Sequence, residues 1–238
     1  MTPEKINAKI LAIDIGGSHI KATILNSDGA LEMEYEKVDT PSPATPEKCL
    51  EAIKELIHAF PEYDKVSVGF PGYIKDGVVI TAPNLGTSTW AGHDFRKELE
   101  QVLDHPVHLY NDADMQGLGI ASGKGFEIVL TLGTGFGTAL LMDGVLLPHL
   151  ELSQHPIFKK KTYDEYIGQK ALDQKGKEEW NKRMKKVITI LKRVFNYDRL
   201  YIGGGNAAKL SFKLDDNIKI VTNVDGIKGG SRLWKIMP

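Results

Sequence analysis

Two glycine-rich segments about half a chain apart follow one plan, and that repetition constrains the fold more than any other feature of the sequence. The first runs Leu11-Ala12-Ile13-Asp14-Ile15, then Gly16-Gly17-Ser18, then Ile20 to Leu25, ending at Asp28-Gly29. The second runs Ile128 to Leu132, then Gly133-Thr134-Gly135-Phe136-Gly137, then Thr138 to Leu141, ending at Asp143-Gly144. Each is an apolar, β-branched run, a polar turn, a second apolar run and an Asp-Gly turn. Glycine lets a backbone approach a ligand closely, and successive N–H groups in such a turn form an anion-binding concavity. Paired turns of this kind predict a duplicated architecture with phosphate held between the halves.

A chain of 238 residues suits one large domain or two of roughly 110–120 residues each. The pattern places a hinge near residue 110, dividing an N-terminal lobe, 1–110, from a C-terminal lobe, 111–238. No Pro- or Gly-rich tether separates them. A net charge of −1 gives no general pull toward nucleic acid or membrane. Cys49 is the only cysteine, which rules out an intramolecular disulfide or a thiolate metal cluster and fits a reducing cytoplasm. The polar start, Met1 to Lys9, carries no signal-peptide pattern. No apolar run approaches the ~20 residues of a membrane span. A cytoplasmic protein is expected.

Strands are predicted at Ile10–Asp14, His19–Leu25, Leu31–Val38, Val66–Phe70, Val107–Tyr110, Glu127–Leu132, Phe136–Met142 and Leu200–Ile202. Thr45 and Pro46 signal a helix whose buried face is Leu50, Ile53, Leu56, Ile57 and Phe60. A hairpin is expected around Lys75-Asp76-Gly77, and a second helix from Asp94 to Leu103. Another helix starts within Asn111-Asp112-Ala113-Asp114. Thr162-Tyr163-Asp164-Glu165 is a capping-box signature, and a long helix runs from about Gly176 to Asn196. A short helix is predicted after Gly203-Gly204-Gly205-Asn206. Mixed elements in two similar halves predict an α/β, two-lobed protein.

The candidate chemistry gathers at the turns. Asp14 ends a buried strand, where a carboxylate can hold a metal or its waters beside a phosphate, and Lys21 can offset phosphate charge. The bland alternative is a tight hairpin with a solvated lysine. The second loop lacks the spacing of a dinucleotide-binding fingerprint and the Gly-Lys-Ser/Thr of a Walker A loop, and strand follows strand. Gly203-Gly204-Gly205-Asn206 joins a strand to a helix start, where bare backbone and a helix N-terminus favour an anion. Asp112 is the candidate general base, since a carboxylate there can accept a proton from an attacking hydroxyl. Its plain alternative is an N-cap. Asn111 offers a donor and an acceptor to a polyol, and Asn84 can reach a ligand from the turn Ala82-Pro83-Asn84-Leu85-Gly86. Glu151 and His155 lie in an irregular segment, and the histidines show no metal-ligand spacing. Lys159 to Arg193 holds twelve Lys/Arg against five Asp/Glu, read either as a solvated helix face or as a track for a polyanion.

Taken in order, these segments resemble the ROK family of sugar kinases, within the actin-like, two-lobed ATPase fold (ribonuclease H-like, with duplicated βββαβα-type halves). The similarity is greatest to its polyphosphate glucokinase branch. Asp14-Ile15-Gly16-Gly17-Ser18-His19-Ile20-Lys21 resembles that branch's first phosphate motif. Asn111-Asp112-Ala113-Asp114 with Gly117-Leu118 resembles its catalytic segment. Leu132 to Gly137, followed by Asp143-Gly144-Val145-Leu146, resembles its second phosphate motif, and Gly203 to Asn206 its nucleotide-side glycine run.

The resemblance implies that Asp112 deprotonates the 6-hydroxyl of glucose or a related hexose. It implies that Asn84, Asn111 and Glu151 bind the sugar, and that both glycine loops hold polyphosphate or ATP with magnesium. Closure of the two lobes would exclude water. It further implies a homodimer. The family usually shows Glu, any residue, Gly, His in its sugar motif, whereas Glu151-Leu152-Ser153-Gln154 has Ser and Gln there, with His155 one place later. The Cys-rich zinc motif of many members is absent, so no zinc is expected. Related repressors carry a DNA-binding helix-turn-helix, and only about a dozen residues precede Asp14. The rivals that remain are a non-catalytic sugar-binding protein and an ATP-only hexokinase of different sugar specificity.

Overall fold

Strand β1 (Ile10–Ile15) is apolar on both faces and almost wholly buried, the pattern of a central strand. The computed structural model describes residues 8–222 and 226–236 of the chain; the polar residues 1–7 lie outside the described residues. β2 (His19–Leu25) returns antiparallel to β1, and β3 (Glu36–Asp39) returns along β2. β3 is shorter than the predicted Leu31–Val38. The Thr23 hydroxyl donates to the Met33 carbonyl at 2.8 Å, drawing that stretch off the ladder and leaving a single bridge between Leu25 and Leu31.

Helix α1 (Pro46–Ile57) begins as its cap signals require, with Thr45 Oγ1 accepting from the Lys48 N–H, and it buries Cys49, Ile53 and Leu56. Burial pushes the Cys49 thiol up to about 11, which makes it a packing group. β4 (Lys65–Phe70) runs parallel beside β1. β5 (Ile74–Lys75) and β6 (Val78–Val79) close a hairpin over Asp76 and Gly77, at φ 54° and 88°. The short α2 (Thr87–Trp90) has no counterpart in the sequence reading; it buries Trp90, whose Nε1–H donates to the Ala44 carbonyl at 2.8 Å. α3 (Phe95–Leu103) is capped by Asp94. β7 (Val107–Asn111) pairs parallel with β4, and α4 (Asp112–Ile120) starts at its end. The sheet order is β3-β2-β1-β4-β7.

The second half repeats this scheme. β8 (Phe126–Leu132), β9 (Phe136–Met142) and β10 (Val145–Leu146) form the antiparallel part, with Asp143 and Gly144 turning at φ 50° and 82°. The segment read as irregular contains a 3-10 turn (Leu152–Gln154) and the hairpin β11 (Pro156–Phe158) and β12 (Lys161–Thr162). α5 (Tyr163–Ile167) opens on a complete capping box between Thr162 and Glu165. α6 (Gln169–Phe195) breaks at Gly176, where φ is 75°, and its longer part follows that glycine as expected. β13 (Arg199–Gly203) and β14 (Ile218–Ile220) complete the order β10-β9-β8-β13-β14. Both sheets have the same succession of two antiparallel and two parallel pairings. In place of the short helix predicted after Gly203 to Asn206 there is one 3-10 turn, Ala207–Lys209.

The chain divides into unit 1, comprising the described residues of Met1–Gly119 and Ile227–Pro238, and unit 2, Ile120–Gly226. A division at residue 110 would have put Asn111 and Asp112 in the second half. They belong to unit 1 because β7 is hydrogen-bonded to β4 and α4 follows it without a linker. The last helix, α7 (Gly229–Ile236), also belongs to unit 1. A Cβ on Gly229 would run into the Met115 carbonyl, so only glycine permits this approach. Ser67 Oγ donates to the Gly230 carbonyl at 2.7 Å and accepts from Trp234 Nε1 at 2.9 Å.

Candidate active site

In unit 1 the chemistry collects at the carboxyl ends of the parallel strands, the usual ligand edge of such a sheet. The Gly16-Gly17-Ser18 turn is a tight hairpin: the Gly16 N–H donates to the His19 carbonyl at 2.9 Å, and Gly17 and Ser18 are exposed. Thr40 braces the turn from outside, its N–H to Ser18 O and its hydroxyl to Gly16 O. The β1–β2 register sets Asp14 directly opposite Lys21. Burial pushes the Asp14 carboxyl above its usual range, and the charge of Lys21 pulls it back.

Asp14 also pairs with Gly69 on β4. A Cβ on Gly69 would lie 3.3 Å from Asp112 Cα and 2.8 Å from Met115 Cε, so this glycine makes room for the start of α4. Asp14 and Asp112 therefore both border Gly69. Asn111 caps the helix: its Oδ1 accepts the N–H groups of Ala113 at 2.8 Å and Asp114 at 3.2 Å, and Asp112 Oδ1 shares the Ala113 N–H at 2.9 Å. Its Nδ2 donates to Gly72 O at 3.0 Å and Phe70 O at 3.5 Å. Asn111 is thus buried and spent on fixing the turn, while Asp112 is half-buried at the first helical position. Asn84 is exposed, and a Cβ on Gly17 would lie 3.8 Å from its Cβ.

In unit 2 the loop is Gly133-Thr134-Gly135, while Gly137 sits in β9 paired with Thr131. The Gly133 N–H donates to the Gly135 carbonyl at 3.2 Å, and Thr134 is exposed. The glycine run after β13 packs against this loop more than it opens to a ligand. Gly203 is buried. Gly204 has φ 85°, and a Cβ there would collide with the Leu132 backbone. Asn206 is buried, donating to Gly133 O at 3.2 Å and Gln169 Oε1 at 2.9 Å. Gly205 alone is exposed with open space around it. With a single 3-10 turn beyond it, the run also lacks the helix terminus that had been expected to attract an anion.

Glu151 belongs to a cluster that sequence reasoning saw only in part. Burial raises its carboxyl, yet His149 and the Ser153 hydroxyl outweigh this and hold it below the usual range. Nearby stands Asp164, whose Oδ1 accepts the Phe136 N–H at 2.6 Å and whose Oδ2 accepts from Gln154 Nε2 at 3.3 Å. Burial, aided by the charges of Glu151 and Glu165, pushes Asp164 up to about 6 against those hydrogen bonds. The available signal was a division of labour, because Glu165 closes the capping box and leaves Asp164 for another task. Gln154, not His155, reaches Asp164; the His155 ring faces Tyr163, with centroids 6.2 Å apart.

The basic stretch splits in two. On α6, Lys182 pairs with Glu178 and Lys192 with Asp215, as a solvated face would, while Arg183 is largely buried, donating to Tyr166 O at 2.9 Å and lying over the Tyr166 ring. Lys159, Lys160 and Lys161 form the exposed tip of the β11–β12 hairpin, where Lys159 and Lys186 lie over the Phe158 ring. Among the described residues no three His, Cys, Asp or Glu side chains stand together as metal ligands. No helix among them is long and apolar enough to cross a membrane.

The ROK family model matches residues 10–148. A polyphosphate glucokinase of Mycobacterium tuberculosis (strain ATCC 25618 / H37Rv) is 34% identical over 223 residues, 89% of this chain and 81% of that protein. The crystal structure of an inorganic polyphosphate/ATP-glucomannokinase from Arthrobacter sp. strain KM matches with a TM-score of 0.87 and 32% identity, over 98% of this chain and 100% of that one. A ROK family glucokinase from Streptomyces griseus, in complex with glucose and AMPPNP, shares the fold at a TM-score of 0.77 and 19% identity, over 94% of this chain and 98% of that one.

Proposed function

The chain belongs to the ROK family and has the actin-like ATPase fold, and from that premise we propose that it is a hexose kinase. It transfers a phosphoryl group from polyphosphate or ATP to the 6-hydroxyl of glucose or a closely related hexose. The observation that carries this reading is Asp112, set at the end of β7 beside the Asn111 cap, its Oδ1 accepting the Ala113 N–H at 2.9 Å, and bordering the same glycine as Asp14.

Asp112 accepts the proton of the 6-hydroxyl as its oxygen attacks the terminal phosphorus. The bond from that phosphorus to the bridging oxygen breaks, and a nucleoside diphosphate or a shortened polyphosphate leaves. Phosphoryl transfer is mostly positioning and charge neutralisation, so few protein groups are required. Gly16, Gly17, Ser18 and Lys21 in unit 1, with Gly133, Thr134, Gly135 and Gly205 in unit 2, are assigned to the donor. Asn84, Glu151 and Asp164 are assigned to sugar hydroxyls, and Asn111 serves by holding Asp112. Asp14 suits magnesium, a cation that keeps several waters and needs only one or two carboxylates beside phosphate oxygens. When bound there, it would supply neutralisation of the donor's charge. By the family resemblance the working form is a cytoplasmic homodimer.

The test is hexose 6-phosphate formation from glucose, followed through a coupled dehydrogenase, with ATP and polyphosphate as parallel donors. Product is expected from at least one donor, and none from 6-deoxyglucose. A donor running over the Lys159-Lys160-Lys161 tip should show a KM that climbs steeply with salt. Glucose binding by calorimetry with no turnover on either donor would leave the non-catalytic rival standing.

A further inference from the structure

The family pattern is broken at Ser153 and Gln154, and the structure sets those two residues between two acids. Ser153 is buried and donates its hydroxyl to Glu151 Oε1 at 2.6 Å. Ser153 Oγ in turn accepts from Gln154 Nε2 at 3.0 Å. That amide nitrogen also reaches Asp164 Oδ2 at 3.3 Å, while Asp164 Oδ1 takes the Phe136 N–H at 2.6 Å. At the far end, His149 Nε2 lies 3.8 Å from Glu151 Oε2. One unbroken chain of hydrogen bonds therefore runs from Glu151 to the β9 backbone, with His149 as a longer-range charge contact at its start.

We propose that Ser153 and Gln154 are positioning residues for the acceptor sugar. They tie Glu151 and Asp164 into a single hydrogen-bonded chain and so fix which carboxylate oxygens remain for sugar hydroxyls. This deepens the hexose kinase reading and rests on it.

Three physical points support the assignment. First, the acids are close enough for the charge of Glu151 to act on Asp164; two carboxylates in one small region repel and drift apart unless donors stand between them. Second, the Gln154 amide offers two N–H donors at every pH, whereas a neutral imidazole offers one. Its two donors serve one acid directly and the other through the Ser153 hydroxyl. Third, the two departures depend on each other. The Ser153 proton is given to Glu151, so its oxygen needs a donor, and Gln154 is that donor. Glycine in place of Ser153 would cut the chain whatever followed it. The 3-10 turn holds both side chains in place, with the Gln154 N–H on Glu151 O at 3.1 Å and the His155 N–H on Leu152 O at 3.0 Å.

The experiment measures hexose KM, donor KM and kcat on the full chain for the wild type, Gln154→Leu, Ser153→Ala, the double variant and Gln154→His. Each single change should raise hexose KM roughly three- to tenfold, the worth of one hydrogen bond. kcat and donor KM should stay within about twofold. The double variant should fall short of the product of the single effects, because both cut one chain. Gln154→His should recover part of the loss. Gln154 is exposed, so Gln154→Leu should leave the thermal midpoint in place and keep the kinetic comparison clean. Hexose KM within twofold of wild type in both single variants would overturn the proposal. So would equal losses in hexose KM, donor KM and kcat, which mark general loosening. A wild-type protein that phosphorylates no hexose with either donor would overturn the kinase reading itself, and is thereby told apart from failure of the positioning claim alone.

Discussion

Asp164 is a residue on which opposing forces meet. Burial dominates and lifts its carboxyl to about 6, while the Phe136 N–H and the Gln154 amide pull the other way. An unfolded aspartate titrates near 4. A carboxyl that holds its proton more tightly when folded stabilises the fold fully below about pH 4, and that contribution is lost as pH rises through about 6. Asp164→Asn cannot ionise, yet its side-chain oxygen still accepts the Phe136 N–H. Its stability relative to wild type should therefore rise between pH 4 and pH 7, by about 1–3 kcal/mol. Urea titrations at several pH values measure this. A difference between the two proteins that stays constant with pH would show that the carboxyl is not strained by burial. Asn111 teaches the complementary lesson. From sequence it read as a sugar ligand, but its amide is committed to Phe70, Gly72, Ala113 and Asp114, a set of partners that only tertiary contact reveals.

Among the elements, the legible ones are those whose residues dictate their own geometry. The Thr45 cap, the Thr162–Glu165 box and the Asp76-Gly77 and Asp143-Gly144 turns all follow from neighbours in sequence. Elements shaped by distant partners were not legible. The length of β3 is decided by the Thr23 hydroxyl bonding Met33, and the placement of α7 by glycines that admit the backbone at Met115 and the side chain of Ala12. The Gly203 to Gly205 run shows both sides at once, since three identical residues do different things. Gly204→Ala would force a Cβ into the Leu132 backbone at φ 85°. It should cost about 2–4 kcal/mol, combining left-handed strain with overpacking. Gly205→Ala meets open space and should cost less than about 1 kcal/mol. Denaturation midpoints of the two variants test this, and equal losses would refute the packing role given to Gly204.

For the whole molecule, duplication was the readable property. Two turns spelled alike predicted two sheets wired alike, and the strand orders agree. The division of the chain was less readable, because Asn111-Asp112 looks like the opening of a second half until β7 is seen beside β4. That placement carries the functional argument, since it sets the proposed base on the same sheet edge as Asp14. The most direct test compares wild type with Asp112→Asn in the coupled hexose 6-phosphate assay, with circular dichroism confirming an intact fold. The account predicts a fall in kcat of about 10²- to 10⁴-fold, with KM for hexose and donor changed only a few-fold. An Asp112→Asn protein that keeps most of the wild-type kcat would contradict it.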